Sequence, residues 1–130
     1  METIFSKIIQ GDIPCFKVYE DTEHLAFLDI QPVQMGHVLV IPKKEVDYYF
    51  DMNPEDFAKL NAVAQRIAVA LKKAVPCVKV GMSVVGLEVP HAHIHLIPIN
   101  TINDMNFNGT RLSLSHQQGT ELASLIQSYV

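Results

Sequence analysis

A short helical pattern and three strand-like segments occupy the first third of the chain. Between Thr3, which can cap a helix, and Gly11, which can end one, isoleucine and phenylalanine recur at helical spacing. Phe16–Tyr19 and Leu25–Asp29 are separated by a polar bend, which predicts a β-hairpin. Gly36–Pro42 holds consecutive aliphatic residues between a glycine and a proline, and it predicts a central strand that is apolar on both faces.

The longest amphipathic pattern predicts one main helix over Pro54–Ala74. Asn53 provides a capping side chain ahead of it, two acids follow in the first turn, and two lysines stand in the last turn. Val78–Val85 and Ala92–Ile99 predict two more strands. This order of three strands, a helix and two strands favours a mostly antiparallel sheet and an α+β fold.

The last thirty residues are less regular than the rest. Asn103–Thr110 is typical of a polar loop, and Glu121–Tyr129 predicts a short terminal helix. No linker, repeat or low-complexity segment divides the chain. We therefore expect one domain over residues 1–130, with a core over about 3–100 and a C-terminal extension over 101–130.

The composition limits the classes of ligand that the protein can bind and indicates its cellular compartment. Ten basic and fourteen acidic residues among 130 give a formal net charge of −4, which argues against general affinity for nucleic acid but leaves a small phosphorylated ligand open. No apolar segment approaches the roughly 20 residues of a membrane span, and the start lacks a secretion signal, so we expect a cytoplasmic protein without membrane contact. Cys15 and Cys77 are then expected to be small buried side chains rather than a disulfide.

Three of the six histidines fall within five residues. His91, His93 and His95 alternate with apolar residues. Because alternate side chains of a strand share a face, the three imidazoles are predicted to form one row. With a rise of about 3.3 Å per residue, the first and third lie roughly 13 Å apart, so the three cannot bind one metal ion. His24 and His116 are expected to be exposed.

Four interpretations of this histidine row stay open on the residues alone. Filler is improbable, because a buried imidazole needs hydrogen-bond partners. A zinc or iron site needs a third protein ligand, and no glutamate or histidine follows at a suitable spacing. Catalysis is favoured, since one neutral imidazole can attack phosphorus while its neighbours bind the phosphoryl oxygens. The fourth interpretation is a site that binds a nucleotide without turning it over.

The segment His91–Ile97 matches the pattern His-φ-His-φ-His-φ-φ, where φ is an apolar residue, at all seven positions. On this signature the chain is identified as a member of the histidine triad (HIT) family. Further segments in the same order resemble the Hint branch of that family: Ile4–Ile9, Ile13–Pro14, Leu25–Ile30 and Gly36–Lys44.

The resemblance implies a HIT fold, in which a five-stranded antiparallel sheet with one long and one short helix pairs into a homodimer with a continuous ten-stranded sheet. It also implies hydrolysis or transfer of nucleotidyl groups from phosphoramidates and related purine nucleoside monophosphate derivatives, through a covalent nucleotidyl-histidine intermediate. His93 would be the nucleophile, and His95 would contact the α-phosphate. His91 and His37 would complete the imidazole cluster.

The same resemblance assigns the nucleoside subsite. Asp29 matches the carboxylate that accepts hydrogen bonds from the ribose hydroxyls, a role that suits an ionised acid. The apolar walls around the base would be Ile13, Phe27, Leu28 and Ile30.

One departure from the family concerns metal. Many bacterial relatives bind a structural zinc through two cysteines near the N-terminus, a histidine after the third strand and the first triad histidine. The first three of these positions are Thr3, Ser6 and Glu45 here. The sequence therefore predicts no metal, and it gives no sign of another cofactor.

A second departure is the phosphate loop ahead of the triad, which is shorter than in the Hint branch. Gly86 can still offer a backbone N–H to phosphate, whereas Glu88 stands near the position of a serine that assists the leaving group. Glu88 is either a general acid, a group that recognises a cationic part of the substrate, or a residue that faces solvent or a neighbouring subunit. We expect a hydrolase; the alternative is a nucleotide-binding or regulatory module that has lost catalysis.

Overall fold

Five antiparallel strands form the sheet that carries the histidine row. The computed structural model describes residues 2–130. Its strands are β1 Lys17–Glu20, β2 His24–Leu28, β3 Val38–Pro42, β4 Lys79–Ser83 and β5 Ile94–Ile99. They lie in the order β1-β2-β3-β5-β4, and each neighbouring pair is antiparallel. The predicted antiparallel sheet with the third strand at its centre is confirmed.

Within residues 2–130, three α-helices and two 3-10 turns complete the fold. The helices are α1 Ile4–Gln10, α2 Pro54–Ala74 and α3 His116–Gln127, and the turns are Tyr49–Asp51 and Ile102–Met105. The Thr3 side chain caps α1, and Gly11 ends it in the left-handed region at φ 86°. Asn53 caps α2, with Pro54 at its first position. Helices α1 and α2 therefore begin and end where the sequence predicted.

The sheet has a packed core on each face. On one face α2 and α3 cover Ala26, Leu28, Val38, Val40, Ile94 and Leu96. On the other face a smaller cluster joins Phe5 of α1 to Leu25, Phe27, Leu39 and Ile41. His93 and His95 alternate with the residues of the first face, so they lie on the second face beside Phe5. This division leaves one face of the sheet for the candidate site.

The terminal helix α3 begins five residues earlier than the sequence predicted. Ser115 and Gln118 form a capping box at its start. Gly119, which weakens a helical pattern, lies inside the first turns of α3. An added Cβ at Gly119 would lie 2.5 Å from the Phe16 ring. Close packing between α3 and the start of β1 therefore requires a glycine at a position where helix propensity disfavours one.

Two further expectations concern the membrane and the cysteines. Within residues 2–130, no helix has both the length and the hydropathy that a membrane crossing requires. Cys15 and Cys77 are both free thiols. They are half-buried rather than fully buried, and Cys15 packs against the cluster around Phe5.

Candidate active site

The three triad imidazoles line up at the start of β5, with Phe5 beneath the first two. The Phe5 ring stands edge-on to His91 and His93, with centroid distances of 5.9 and 5.0 Å. His93 and His95 follow each other at a centroid distance of 4.9 Å. All three are buried, and His91 is completely so. His93 and His95 keep a small exposed fraction, 6% and 8%, through which a ligand could contact them.

His37 and His95 form a hydrogen-bonded pair whose direction is set by the backbone. The Val33 N–H donates to His37 Nδ1 at 3.1 Å, so this nitrogen carries the lone pair. His37 Nε2 must then carry the proton, and it donates to His95 Nδ1 at 2.9 Å. In neutral His95 the remaining proton lies on Nε2. The pair therefore presents an N–H from His95.

Burial keeps this pair uncharged. It lowers the pKa of His37 to about 3 and that of His95 to about 4. Mutual repulsion between the two imidazoles and the positive charge of Arg111 lower the pKa of His37 further. Near neutral pH both rings are neutral, so the order of donors and acceptors along the pair holds.

His93 has the opposite arrangement at its outer nitrogen. Its Nδ1 lies 2.6 Å from the His91 carbonyl oxygen, which can only accept a hydrogen bond, so Nδ1–H is the donor. Nε2 is then left with the lone pair. Burial lowers the pKa of His93, and the hydrogen bond to His91 partly opposes that effect. A neutral imidazole with a lone pair at Nε2 is a nucleophile, and it lies beside the N–H of His95.

Asp29 follows β2 and lies close to the histidine pair. Its Oδ1 accepts a hydrogen bond from the Gln31 N–H at 2.9 Å. Its Oδ2 lies 3.8 Å from His37 Nδ1 and 3.7 Å from an Arg111 nitrogen. Burial raises the pKa of Asp29, while the Gln31 N–H and the charge of Arg111 lower it. The carboxylate keeps lone pairs that are free to accept hydrogen bonds from a ligand.

Two residues of the C-terminal segment reach this site, although nothing in the sequence placed them there. The Phe107 ring lies edge-on to His95 at 4.9 Å and to His37 at 6.2 Å. Arg111 Nη1 donates to the Gln31 carbonyl at 2.8 Å. The Arg111 contact spans 80 residues of chain, and such contacts leave no local sequence pattern. Arg111 lies beside Asp29, with Nη1 3.7 Å from Asp29 Oδ2.

The predicted base-pocket residues do not all lie together. Phe27 packs on Phe5 on the histidine face, with ring centroids 5.7 Å apart. Leu28 packs in the core beneath α2 and α3, on the opposite face of the sheet from Phe27, and its role as a pocket wall stays a prediction. Ile13 is half-buried. Ile30 is 61% exposed, so the wall that it would form is open to solvent.

The shortened loop leaves Gly86 and Glu88 at the edge of the site. Gly86 adopts φ 72°, a conformation that favours glycine. Glu88 is exposed. Its negative charge is nonetheless felt at Asp29 and His93, where it opposes ionisation of the acid and favours protonation of the imidazole. Glu88 thus lies within electrostatic reach of the site while its side chain faces solvent.

His24 lies away from this cluster, and its predicted exposure is wrong. The side chain is buried, and its Nδ1 lies 3.0 Å from Asp21 Oδ1. The Asp21 carboxylate also accepts from two backbone N–H groups of the bend. His24 therefore stabilises the β1–β2 hairpin. His116 is exposed, as predicted.

The buried imidazoles at the start of β5, an inner strand of the antiparallel sheet, form the candidate site. Comparisons with known proteins identify the family of the chain. The chain belongs to the HIT family, since the HIT domain model matches residues 10–102. An uncharacterized HIT-like protein from Borreliella burgdorferi is 35% identical over 133 residues, which cover 96% of this chain and 96% of that protein. Adenosine 5'-monophosphoramidase hnt1 of Schizosaccharomyces pombe is 35% identical over 99 residues, covering 75% of this chain and 74% of that protein.

A solved structure gives the same fold and raises the question of metal. The Zn-bound histidine triad family protein from Mycobacterium smegmatis matches with a TM-score of 0.82 and 30% identity, covering 99% of this chain and 93% of that one. At the positions where the family resemblance would place zinc ligands, Ser6 Oγ donates to Glu45 Oε1 at 2.6 Å, and the Thr3 and Ser6 hydroxyls are 3.3 Å apart. His91 Nε2 donates to the Pro42 carbonyl at 2.8 Å.

These residues do not fit a zinc ion. Hydroxyl groups stand where zinc would prefer thiolates, and the Ser6 hydroxyl donates to the Glu45 carboxylate. Within residues 2–130, no group of three histidine, cysteine or acidic side chains is arranged to hold a metal. His91 Nδ1 is buried and has no hydrogen-bond partner in that part of the chain. A single imidazole nitrogen does not make a metal site.

Proposed function

We propose that the protein is a nucleotidyl hydrolase or transferase that cleaves nucleoside monophosphate derivatives, phosphoramidates in particular, at the α-phosphorus. The observation that carries this proposal is the pairing of opposite tautomers, with a lone pair on His93 Nε2 and an N–H on His95 Nε2. Such a pair suits attack on phosphorus together with hydrogen bonding to a phosphoryl oxygen. The name of the S. pombe relative supports the same chemistry.

In the first step His93 Nε2 attacks the α-phosphorus. A bond forms between nitrogen and phosphorus, the bond to the leaving amine breaks, and the amine takes a proton from water. His95 donates its Nε2–H to a phosphoryl oxygen, where negative charge increases in the transition state. His37 keeps that donor in place through its own hydrogen bond to His95.

In the second step water attacks the phosphorus of the nucleotidyl-histidine. The bond between phosphorus and His93 breaks, and the attacking water gives one proton to the hydroxide left by the first step. The nucleoside monophosphate leaves while the imidazole returns to its neutral form. Asp29 accepts hydrogen bonds from the ribose hydroxyls throughout. Phe27 and Ile13 line the base, for which we propose a purine, and Gly86 offers its backbone N–H to the phosphate.

A rapid-quench experiment tests this mechanism. Wild type, His93→Ala and His116→Ala are mixed with an adenosine phosphoramidate in the presence of chelator, quenched and analysed by intact-mass spectrometry. His116 is exposed on α3, which makes it a matched control. We expect an adduct of one nucleotidyl group in wild type and His116→Ala and none in His93→Ala. Measurable nucleotide binding without adduct or released monophosphate would instead support a non-catalytic nucleotide-binding module.

Glu88→Gln is expected to change turnover by less than about threefold. The Glu88 carboxylate is exposed and is not held against the leaving group, so it cannot supply the roughly 10²-fold of a positioned general acid. The measurement is kcat/KM for a phosphoramidate and for a nucleotide ester whose leaving group needs no proton. A drop of about 100-fold confined to the phosphoramidate would assign the general acid to Glu88.

We propose that two copies pair along β4 into a ten-stranded sheet. β4 is one edge of the sheet, and the apolar side chains on and beside it are exposed: Val78 by 63%, Met82 by 56% and Val85 by 50%. At the other edge, β1 contacts α3, and Gln127 Nε2 donates to the Lys17 carbonyl. A sheet edge with exposed apolar side chains is a template for pairing with a second copy.

Met82→Lys is expected to convert such a dimer into a monomer. Burial of an unpaired lysine at the interface costs about 2 kcal/mol per copy, which raises the dissociation constant by well over tenfold. Light scattering after gel filtration at micromolar concentration measures the mass. Leu125→Lys, a matched change at an exposed apolar position on α3, should leave the dimer intact. A monomeric wild type would contradict the proposed pairing.

A further inference from the structure

The C-terminal segment runs back across the end of β2 and reaches Asp29. The Leu112 N–H donates to the Pro32 carbonyl at 2.9 Å, and the Leu114 N–H donates to the Ile30 carbonyl at 3.2 Å. These two hydrogen bonds hold the segment alongside the residues that directly follow Asp29. Arg111 precedes the first of them, so the backbone fixes the place from which its side chain extends.

The Arg111 side chain is held on three sides. Its Nη1 donates to the Gln31 carbonyl at 2.8 Å, and its guanidinium carbon lies 5.7 Å above the Phe107 ring. The same nitrogen lies 3.7 Å from Asp29 Oδ2. The side chain is only 29% exposed, which reduces screening of its charge by water. This arrangement is a fixed cation beside a mostly buried carboxylate.

The other groups around Asp29 are few and of mixed sign. His37 faces it from the start of β3 at 3.8 Å, and burial keeps that imidazole neutral. His93 of the histidine row and Glu88 of the shortened loop act on it from further away, with opposite effects. Burial and Glu88 favour the protonated acid, whereas the Gln31 N–H, Arg111 and His93 favour the carboxylate. Loss of Arg111 would therefore shift the balance towards protonation.

We propose that Arg111 is a positioning residue of the ribose subsite, which holds Asp29 as an oriented carboxylate able to accept hydrogen bonds from both ribose hydroxyls. The inference rests on the proposed nucleotide site and adds the C-terminal segment to it. A protonated acid donates at one oxygen and loses part of its accepting capacity. Arg111 thereby makes binding depend on the two hydroxyls of a ribonucleotide, without touching the nucleotide itself.

The first test measures Asp29 directly and needs no ligand. The carboxyl carbon of Asp29 is followed by NMR as a function of pH in wild type, Arg111→Gln, Arg111→Lys and Arg66→Gln. Arg66 is exposed and lies over Tyr19 at 5.3 Å, away from the site, so it controls for loss of an arginine elsewhere. The pKa of Asp29 should rise in Arg111→Gln and stay near its wild-type value in the other two variants. An unchanged pKa in Arg111→Gln would overturn the inference.

The second test measures discrimination between sugars. Dissociation constants are determined by calorimetry for adenosine monophosphate and its 2',3'-dideoxy analogue between pH 5 and 8. We expect Arg111→Gln to weaken binding of the ribonucleotide about fivefold near pH 6, and more at lower pH, while the dideoxy analogue is unaffected. Arg111→Lys should recover most of the loss. Unfolding midpoints of the variants confirm that the fold is intact.

The outcomes separate this inference from the proposed function. If Arg111→Gln weakened binding of both nucleotides equally, the inference would be overturned. Arg111 would then be assigned to binding of the phosphate. The ratio of the two dissociation constants could also be the same in wild type and in Arg111→Gln. That result would overturn the inference but leave the proposed nucleotide site in place. Wild type that binds neither nucleotide would overturn the proposed function and the ribose role together, even if the NMR titration shows the ion pair.

Discussion

Replacement of His93 by alanine should reduce kcat/KM for an adenosine phosphoramidate by at least about 10⁴-fold. In the proposed mechanism the variant loses the lone pair that attacks phosphorus, and neither His91 nor His95 can replace it. His91 Nδ1 is buried, and the tautomer of His95 offers an N–H rather than a lone pair. Steady-state release of adenosine monophosphate, measured at enzyme concentrations high enough to detect the residual rate, gives the fold-change.

Binding of adenosine monophosphate should survive in the same variant. Asp29 and the Phe27 side of the pocket are unchanged, so we expect a dissociation constant within about fivefold of wild type. His116→Ala, the exposed control, should keep full turnover. Turnover within tenfold of wild type in His93→Ala would contradict the assignment of the nucleophile and require another residue to attack phosphorus.

His37→Phe is expected to lower kcat by about 10²-fold with little change in KM. Without the proton from His37 Nε2, either nitrogen of His95 can be protonated, so the N–H that faces the phosphoryl oxygen is lost from part of the population. The pH profile of kcat supplies a readout specific to this role. The wild-type profile should be flat from about pH 7 upward, because burial keeps both imidazoles neutral.

His37→Gln provides the matched control for that change. A glutamine amide can donate to His95 Nδ1 in place of the imidazole, so this variant should recover part of the lost kcat. Both variants remove a fully buried imidazole, and comparison of their unfolding midpoints accounts for any loss of stability. Equal loss of kcat in both variants would show that His37 acts through packing rather than through its proton.

Local patterns in the sequence predicted most of the fold. Helix α2 begins at Pro54 and ends at Ala74 as predicted, because the Asn53 cap and the lysines of the last turn are all local signals. The alternation of histidine with apolar residues likewise predicted a row of imidazoles on one face. The sequence did not predict the early start of α3 because Gly119 has a low helix propensity. Close packing of α3 against the Phe16 ring nevertheless requires a glycine at this position.

The completed site depends on contacts that sequence spacing does not encode. Phe107 and Arg111 reach the histidines and Asp29 from a segment that lacks regular structure. The resemblance placed Leu28 in the pocket, but strand alternation next to Phe27 turns its side chain to the opposite face. The tautomers of His37 and His93 were also out of reach, because they depend on which backbone groups lie beside each ring.

Holding several uncharged imidazoles inside the fold makes the protein sensitive to acid. Burial lowers the pKa of His37, His93 and His95 in the native state, whereas the unfolded chain binds protons near pH 6.5. The unfolded state therefore gains protons first, and native stability is complete above about pH 6.5 and falls as the pH decreases towards 4. Urea midpoints measured at pH 7.5, 6 and 5 should decrease in that order, and a constant midpoint would contradict this linkage. In acid, the burial that keeps these imidazoles neutral would therefore favour unfolding of the chain over protonation of the rings inside the fold.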